Sequence, residues 1–272
     1  MGPIGVFDSG YGGLTVLSEL KKRLPAYDYL YLGDNARAPY GTRSFDVVYE
    51  YTLEAVKELF SRGCSLVILA CNTASAKALR TIQQNDLPII AANKRVLGVI
   101  RPSAEEIANY TKTNHIGILA TEGTVRSESY VLELKKFAPQ ITVEQHACPM
   151  WVPLIENGSF DSVAGKMFIY EDLERLLELD SQIDTIVLAC THYPLVKDII
   201  EEFLPDHIKV LSQGAIVAEK LADYLIRHPE IDQQCSKNAN VQFLTTENAA
   251  IFNEKASNFY QEPVSAQHIH FS

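Results

Sequence analysis

The stretch LVILACNTASAKAL, residues 66–79, is echoed by TIVLACTHYPLVKDII, residues 185–200, which sets Cys190 119 residues after Cys71. In both, a short β-prone apolar run ends in Ala-Cys, then polar or hydroxyl-bearing residues open a helix-like segment. Almost wholly apolar strands that feed helices belong to parallel sheets covered on both faces. The same alternation runs through the chain. Strands are expected at 3–7, 28–32, 65–69, 115–119, 142–147, 184–188, 208–211 and 241–245. Helices are expected near 13–24, 44–62, 73–84, 103–112, 125–138, 163–180, 193–204, 214–228 and 248–260. The fold class read from this pattern is α/β.

A second echo points to duplication. IGVFDSGYGGLTV, residues 4–16, resembles IGILATEGTVRSE, residues 116–128, with Ser9 at the position of Thr121. We therefore expect two pseudo-symmetric lobes, each a mainly parallel sheet flanked by helices, with an active site in the cleft between them. The first lobe is expected to hold residues 1–95 and 208–272, the second 96–207, with ANKRVLGVI (92–100) as the crossing.

Composition narrows the function. The 272 residues are 47% hydrophobic and 21% charged, an ordinary globular mix, with a formal net charge of −10. That charge argues against nucleic acid or an anionic membrane as partner. The sequence opens on a strand-like run rather than a signal segment, and no apolar stretch approaches the roughly 20 residues a membrane helix needs. A cytosolic location is expected. Five cysteines without a C-x-x-C pair predict neither a disulfide frame nor a metal site.

In open α/β sheets ligands bind beyond the carboxyl ends of the strands. Four loops fall there: Asp8-Ser9-Gly10, Cys71-Asn72-Thr73, Thr121 to Thr124, and Cys190-Thr191-His192. The unpaired N–H groups of the helices that follow can hold a carboxylate. The same groups should lower the pKa of a strand-end thiol. Two such thiols facing one cleft suit a two-base reaction, in which one removes a proton from a carbon and the other delivers a proton to the opposite face. Asp8 is placed in the cleft by its strand-end position, and His192 lies beside a candidate base. The turn Pro39-Tyr40-Gly41 offers backbone N–H groups to a site. Cys64, Cys148 and Cys235 lack this context and are expected to be structural.

Five segments, GVFDSGYGGLTVL, YLGDNARAPYGTRS, ILACNTASA, CPMWVPLIENG and VLACTHYPL, together resemble the cofactor-independent glutamate racemases of the aspartate/glutamate racemase superfamily. The resemblance spans nearly the whole chain in order. It implies interconversion of L- and D-glutamate without pyridoxal phosphate or metal, supply of D-glutamate for peptidoglycan, and a homodimer. By motif, Cys71 would take the α-proton from D-glutamate and Cys190 from L-glutamate. Asp8 would assist Cys71, while Glu156 and His192 would assist Cys190. Glu156 is identified by the resemblance alone. Substrate contacts would come from Asp8, Ser9, Tyr40, Gly41, Asn72, Thr73, Thr121, Thr191 and His192. One passage departs from the pattern: AANKRVLGVIRPSAEE carries Lys94, Arg95 and Arg101 where a shorter, less basic one is expected. The rivals are a racemase of another amino acid, chiefly aspartate, a cysteine hydrolase using Cys190 and His192, and a two-lobed amino-acid-binding protein.

Overall fold

The structure, a computed structural model, describes residues 1–271. Ten strands form two all-parallel sheets. The first contains β1 (Ile4–Asp8), β2 (Tyr29–Gly33), β3 (Leu66–Leu69), β4 (Arg95–Gly98), β9 (Val241–Thr245) and β10 (Ala266–His268), in the order β10-β9-β2-β1-β3-β4. The second contains β5 (His115–Ala120), β6 (Thr142–Ala147), β7 (Thr185–Ala189) and β8 (Lys209–Ser212), in the order β6-β5-β7-β8. The orders β2-β1-β3-β4 and β6-β5-β7-β8 are the same arrangement, so the chain holds one four-strand unit twice. The central strands β1, β3 and β7 are buried at every residue, as two covered faces require.

The repeat moves the expected lobe boundaries. Arg95–Gly98 is not a crossing but the fourth strand of the first unit, in register with Leu66–Leu69. Residues 209–212 do not return to the first sheet; they pair with β7 and complete the second unit. Only β9 and β10 return, adding to β2. In each unit the first strand sends one connection to its left neighbour and the third strand lies on its right. The β1/β3 and β5/β7 junctions are therefore the switch points where α/β sheets bind ligands. The loops carrying Ser9, Cys71, Thr121 and Cys190 all leave from those junctions.

The basic passage is ordinary surface. Lys94 Nζ donates to the Phe60 carbonyl at 2.8 Å, and Arg101 pairs with Glu105 one turn on. The helices Gly13–Arg23 and Gln213–Arg227 lie side by side. They join the two units through one apolar core that includes Leu14, Leu17, Leu20, Val217, Leu221 and Leu225. Among the described residues no helix is long and apolar enough to cross a membrane.

Candidate active site

Cys71 ends the β3 turn as the N-cap of helix Asn72–Lys77. Its sulfur accepts the Ala74 N–H at 3.4 Å and shares a hydrogen bond with Ser9 Oγ at 3.4 Å. Burial and the nearby Asp8 carboxylate nonetheless push this thiol up to about 12, outweighing the hydroxyl and the helix start. The expectation of a lowered thiol pKa fails here because desolvation is the larger effect.

Asp8 is fully buried behind the cavity wall. One carboxylate oxygen accepts the Gly10 N–H at 2.9 Å; the other accepts the Thr191 hydroxyl at 3.2 Å. Burial raises its pKa, against the opposing pull of His192 and the Gly10 and Gly13 amides. Its influence on the Cys71 pKa is coulombic, and the hydroxyl partner of that thiol is Ser9.

Cys190 leaves β7 into a 3-10 turn, Tyr193–Val196, rather than an α-helix. The tighter turn brings His192 back on the thiol, with Nδ1 4.0 Å from Sγ, while Nε2 lies 2.8 Å from Glu156 Oε1. Burial alone would lower the histidine pKa. The hydrogen bonds and charges of Cys190 and Glu156 outweigh it and bring the imidazole up to about 10, so both ring nitrogens carry hydrogen at neutral pH. The edge of the ring meets Phe259 at 5.2 Å. Gly12 lets the first lobe approach this closely: a Cβ there would sit 2.3 Å from Thr191 Oγ1 and 2.4 Å from His192 Nδ1.

Glu156 comes from a short helix, Trp151–Glu156, that the sequence pattern did not mark. Pro153 sits inside it, and only two of its residues, Trp151 and Ile155, are buried, too few for a periodic signal. Trp151 anchors it against Tyr193, with ring centroids 4.7 Å apart.

The lobes are tied together around the site. Thr73 and Thr121 share a hydroxyl hydrogen bond at 2.9 Å, and Thr15 Oγ1 donates to the Thr191 carbonyl at 3.0 Å. The Asn72 amide is spent on structure: it donates to Gln213 Oε1 at 2.8 Å and accepts from the Tyr130 hydroxyl at 2.6 Å. The Gln213 amide nitrogen donates to Ser103 Oγ and to Tyr130, closing a buried ring of polar groups. Tyr40 likewise commits its hydroxyl to Asp34, and the Gly41 carbonyl accepts the Gly123 N–H at 2.8 Å.

These residues enclose a cavity of ≈ 140 Å³ lined by both thiols, Ser9, Tyr40, Gly41, Asn72, Thr73, Thr121, Glu156, Thr191 and His192. Every expected site residue except Asp8 lines it. Pro39, Thr42, Cys148 and Val152 line it too, and the sequence pattern did not single out their side chains. The space is well below the roughly 300–1,000 Å³ of sites for drug-sized ligands, so it suits a small metabolite. Among the described residues lining it none is Lys or Arg. A carboxylate ligand would be held by hydroxyls and N–H groups. A larger open cavity of ≈ 370 Å³ lies at the β4 edge, lined by Gln83, Leu87, Pro88 and Arg95, with no acid–base pair. At the wall of this cavity Cys148, with His146 and Asp172 behind it, places donor atoms within 4.8 Å of one another.

Residues 4–221 match the Asp/Glu/hydantoin racemase family model. The chain is 39% identical to the glutamate racemase of Ruegeria sp. (strain TM1040), with 96% of this chain and 98% of that protein covered. It is similar in structure to glutamate racemase isoform RacE1 from Bacillus anthracis, with TM-score 0.89, 33% identity and coverage of 99% and 97%. The glutamate racemase of Francisella tularensis, solved in complex with D-glutamate, superposes with TM-score 0.88 and 30% identity, covering 100% of this chain and 98% of that one.

Proposed function

The chain belongs to the Asp/Glu/hydantoin racemase family and, within it, to the glutamate racemases, and we propose that it interconverts L- and D-glutamate by a two-base reaction of Cys71 and Cys190. The observation that carries this reading is the pair of thiols at equivalent strand ends of two repeated units, both facing one small cavity. They are close enough for the charge of one to raise the pKa of the other.

In the L-to-D direction Cys190, as thiolate, takes the α-proton: the Cα–H bond breaks and an S–H bond forms. Cys71, held as a thiol, gives its proton to the opposite face of Cα. The reverse reaction exchanges the roles. The protonated His192 stabilises the Cys190 thiolate, and Glu156 holds the imidazole in place. Asp8 orients Thr191 and the Ser9–Gly10 turn, and its charge favours the protonated form of Cys71. Glutamate is bound by Ser9, Thr73, Thr121 and Thr191 with backbone N–H groups of the Tyr40–Gly41 and Asn72–Thr73 turns. The α-carboxylate gains charge as the proton leaves, and those donors are positioned to stabilise it. Neither pyridoxal phosphate nor a metal takes part in this scheme. We assign the product to cytosolic supply of D-glutamate for peptidoglycan, and the active species to a homodimer.

The chain Cys190–His192–Glu156 would also serve a thiol nucleophile, but a hydrolase leaves Cys71 across the cavity without a purpose. The deciding experiment incubates the cofactor-free protein in D₂O with L-glutamate and, separately, L-aspartate. Loss of optical rotation with deuterium at Cα for glutamate alone is expected. Activity on aspartate alone would move the substrate within the family. No exchange with either would overturn the two-thiol reading.

A further inference from the structure

The lack of a C-x-x-C pair predicts no metal site, yet spacing along the chain is blind to donors that converge from separate elements. We propose that His146, Cys148 and Asp172 form a binding site for a borderline divalent cation of the zinc type, built into the cavity wall at Cys148 and using neither catalytic thiol. His146 lies on β6 and Cys148 just beyond its end, and residues two apart on an extended chain face the same way. Helix Val163–Leu179 covers that face and presents Asp172 among the buried Ile169, Leu173 and Leu176. The imidazole Nε2 is 2.8 Å from Asp172 Oδ1, and all three donor atoms fall within 4.8 Å of one another.

The chemistry of the set is selective. Nitrogen, sulfur and carboxylate oxygen together match zinc and its neighbours, whereas calcium and magnesium take oxygen ligands. A tetrahedral ion with bonds of roughly 2.0–2.3 Å wants donors about 3.3–3.8 Å apart. The set reaches that by modest side-chain rotations, the His146–Asp172 pair opening and the thiol closing in. Asp172 and Cys148 are 5% and 1% exposed, while the His146 side chain is 19% exposed and marks the way in. Besides His146, Arg175 approaches the carboxylate, at 3.5 Å, and it is mostly exposed, so it can swing into water when a metal takes its place. Binding breaks the Cys148 S–H bond, passes that proton to solvent and forms a metal–sulfur bond; neutral His146 offers its Nε2 lone pair; water fills the fourth position. The segment that follows, with Pro149 and the helix carrying Glu156, becomes tethered to β6 and helix Val163–Leu179.

The test uses the full chain with Cys71→Ser and Cys190→Ser, which removes the other thiols of the cleft. Titration with cobalt(II) is expected to produce a thiolate-to-cobalt charge-transfer band that saturates at one equivalent. Zinc should displace the cobalt and raise Tm. Adding Cys148→Ser should abolish the band, and adding His146→Gln should weaken cobalt binding at least about tenfold. No band at millimolar cobalt, or a band that survives Cys148→Ser, overturns the site. Should Cys148→Ser fail to fold, His146→Gln decides the matter alone: unchanged cobalt affinity in that variant overturns the proposal.

Discussion

Cys71 and Cys190 occupy the same place in the two repeats, at the end of the third strand of each unit, yet their surroundings differ. At Cys71 the chain continues into a regular helix, the sulfur serves as its cap, and burial, aided by the nearby Asp8 carboxylate, raises the thiol pKa. At Cys190 the segment Thr-His-Tyr-Pro tightens into a 3-10 turn, which suits Pro194 within the first helical positions and swings His192 onto the thiol. There Cys190 and Glu156 outweigh burial and raise the imidazole pKa to about 10. Equivalent backbones thus carry differently tuned acid–base groups.

Removing either sulfur is the strongest way to break this comparison. Cys71→Ser and Cys190→Ser should each lower racemisation by roughly 10²–10⁴-fold, the range for a lost general acid or base. The asymmetry should persist in exchange: Cys71→Ser retains deuterium wash-in at Cα of L-glutamate, and Cys190→Ser retains it with D-glutamate. Wash-in by both variants with the same enantiomer would refute the assignment of faces.

His192→Asn should cost roughly tenfold to a hundredfold in kcat, less than loss of a direct proton carrier. It also tests the protonation difference. The histidine pKa rises from 6.5 to about 10 on folding, so the folded chain binds this proton more tightly than the unfolded one. The resulting stability is fully present below pH 6.5 and is lost as pH rises through about 10. Denaturant unfolding of wild type and variant at several pH values should show their gap narrowing over that window; a constant gap would contradict the raised pKa.

Gly12→Ala should reduce kcat by about tenfold with secondary structure retained, because the new Cβ displaces Thr191 and His192. Circular dichroism and initial rates together separate this from unfolding. Gln213→Leu strips Asn72 and Tyr130 of partners and should destabilise the chain by about 1–3 kcal/mol in chemical denaturation. Smallest of all, Cys64→Ser, in the apolar interior of the first lobe, should leave the racemisation rate essentially unchanged. A large loss there would mean that the thiol variants report structural damage rather than chemistry.

Among the described residues, eight of the ten strands were legible, most of them from an apolar run of their own, although Thr142–Ala147 has no buried residue. The two missed are Arg95–Gly98, only alternately buried, and Ala266–His268, a three-residue edge strand in which Gln267 and His268 are exposed. They are strands because a neighbouring strand offers its hydrogen bonds. The lobe boundaries shifted for the same reason. In the site, the thiols, hydroxyls and His192 were legible from their strand-end positions. Glu156 was visible only through family resemblance, and Cys148 showed nothing beyond a small buried residue.

The sequence by itself determined the repeated strand–cysteine–helix unit, the parallel sheets and which residues stand at the strand ends, since those follow from apolar runs and turn chemistry within a dozen residues. Tertiary structure alone decided the charge on each side chain. Ser9 meets Cys71 from 62 residues away, Glu156 meets His192 from 36, and Thr191 meets Asp8 from 183. Burial and Coulomb interactions act through space, so a pKa belongs to the assembled fold and to no segment of the chain.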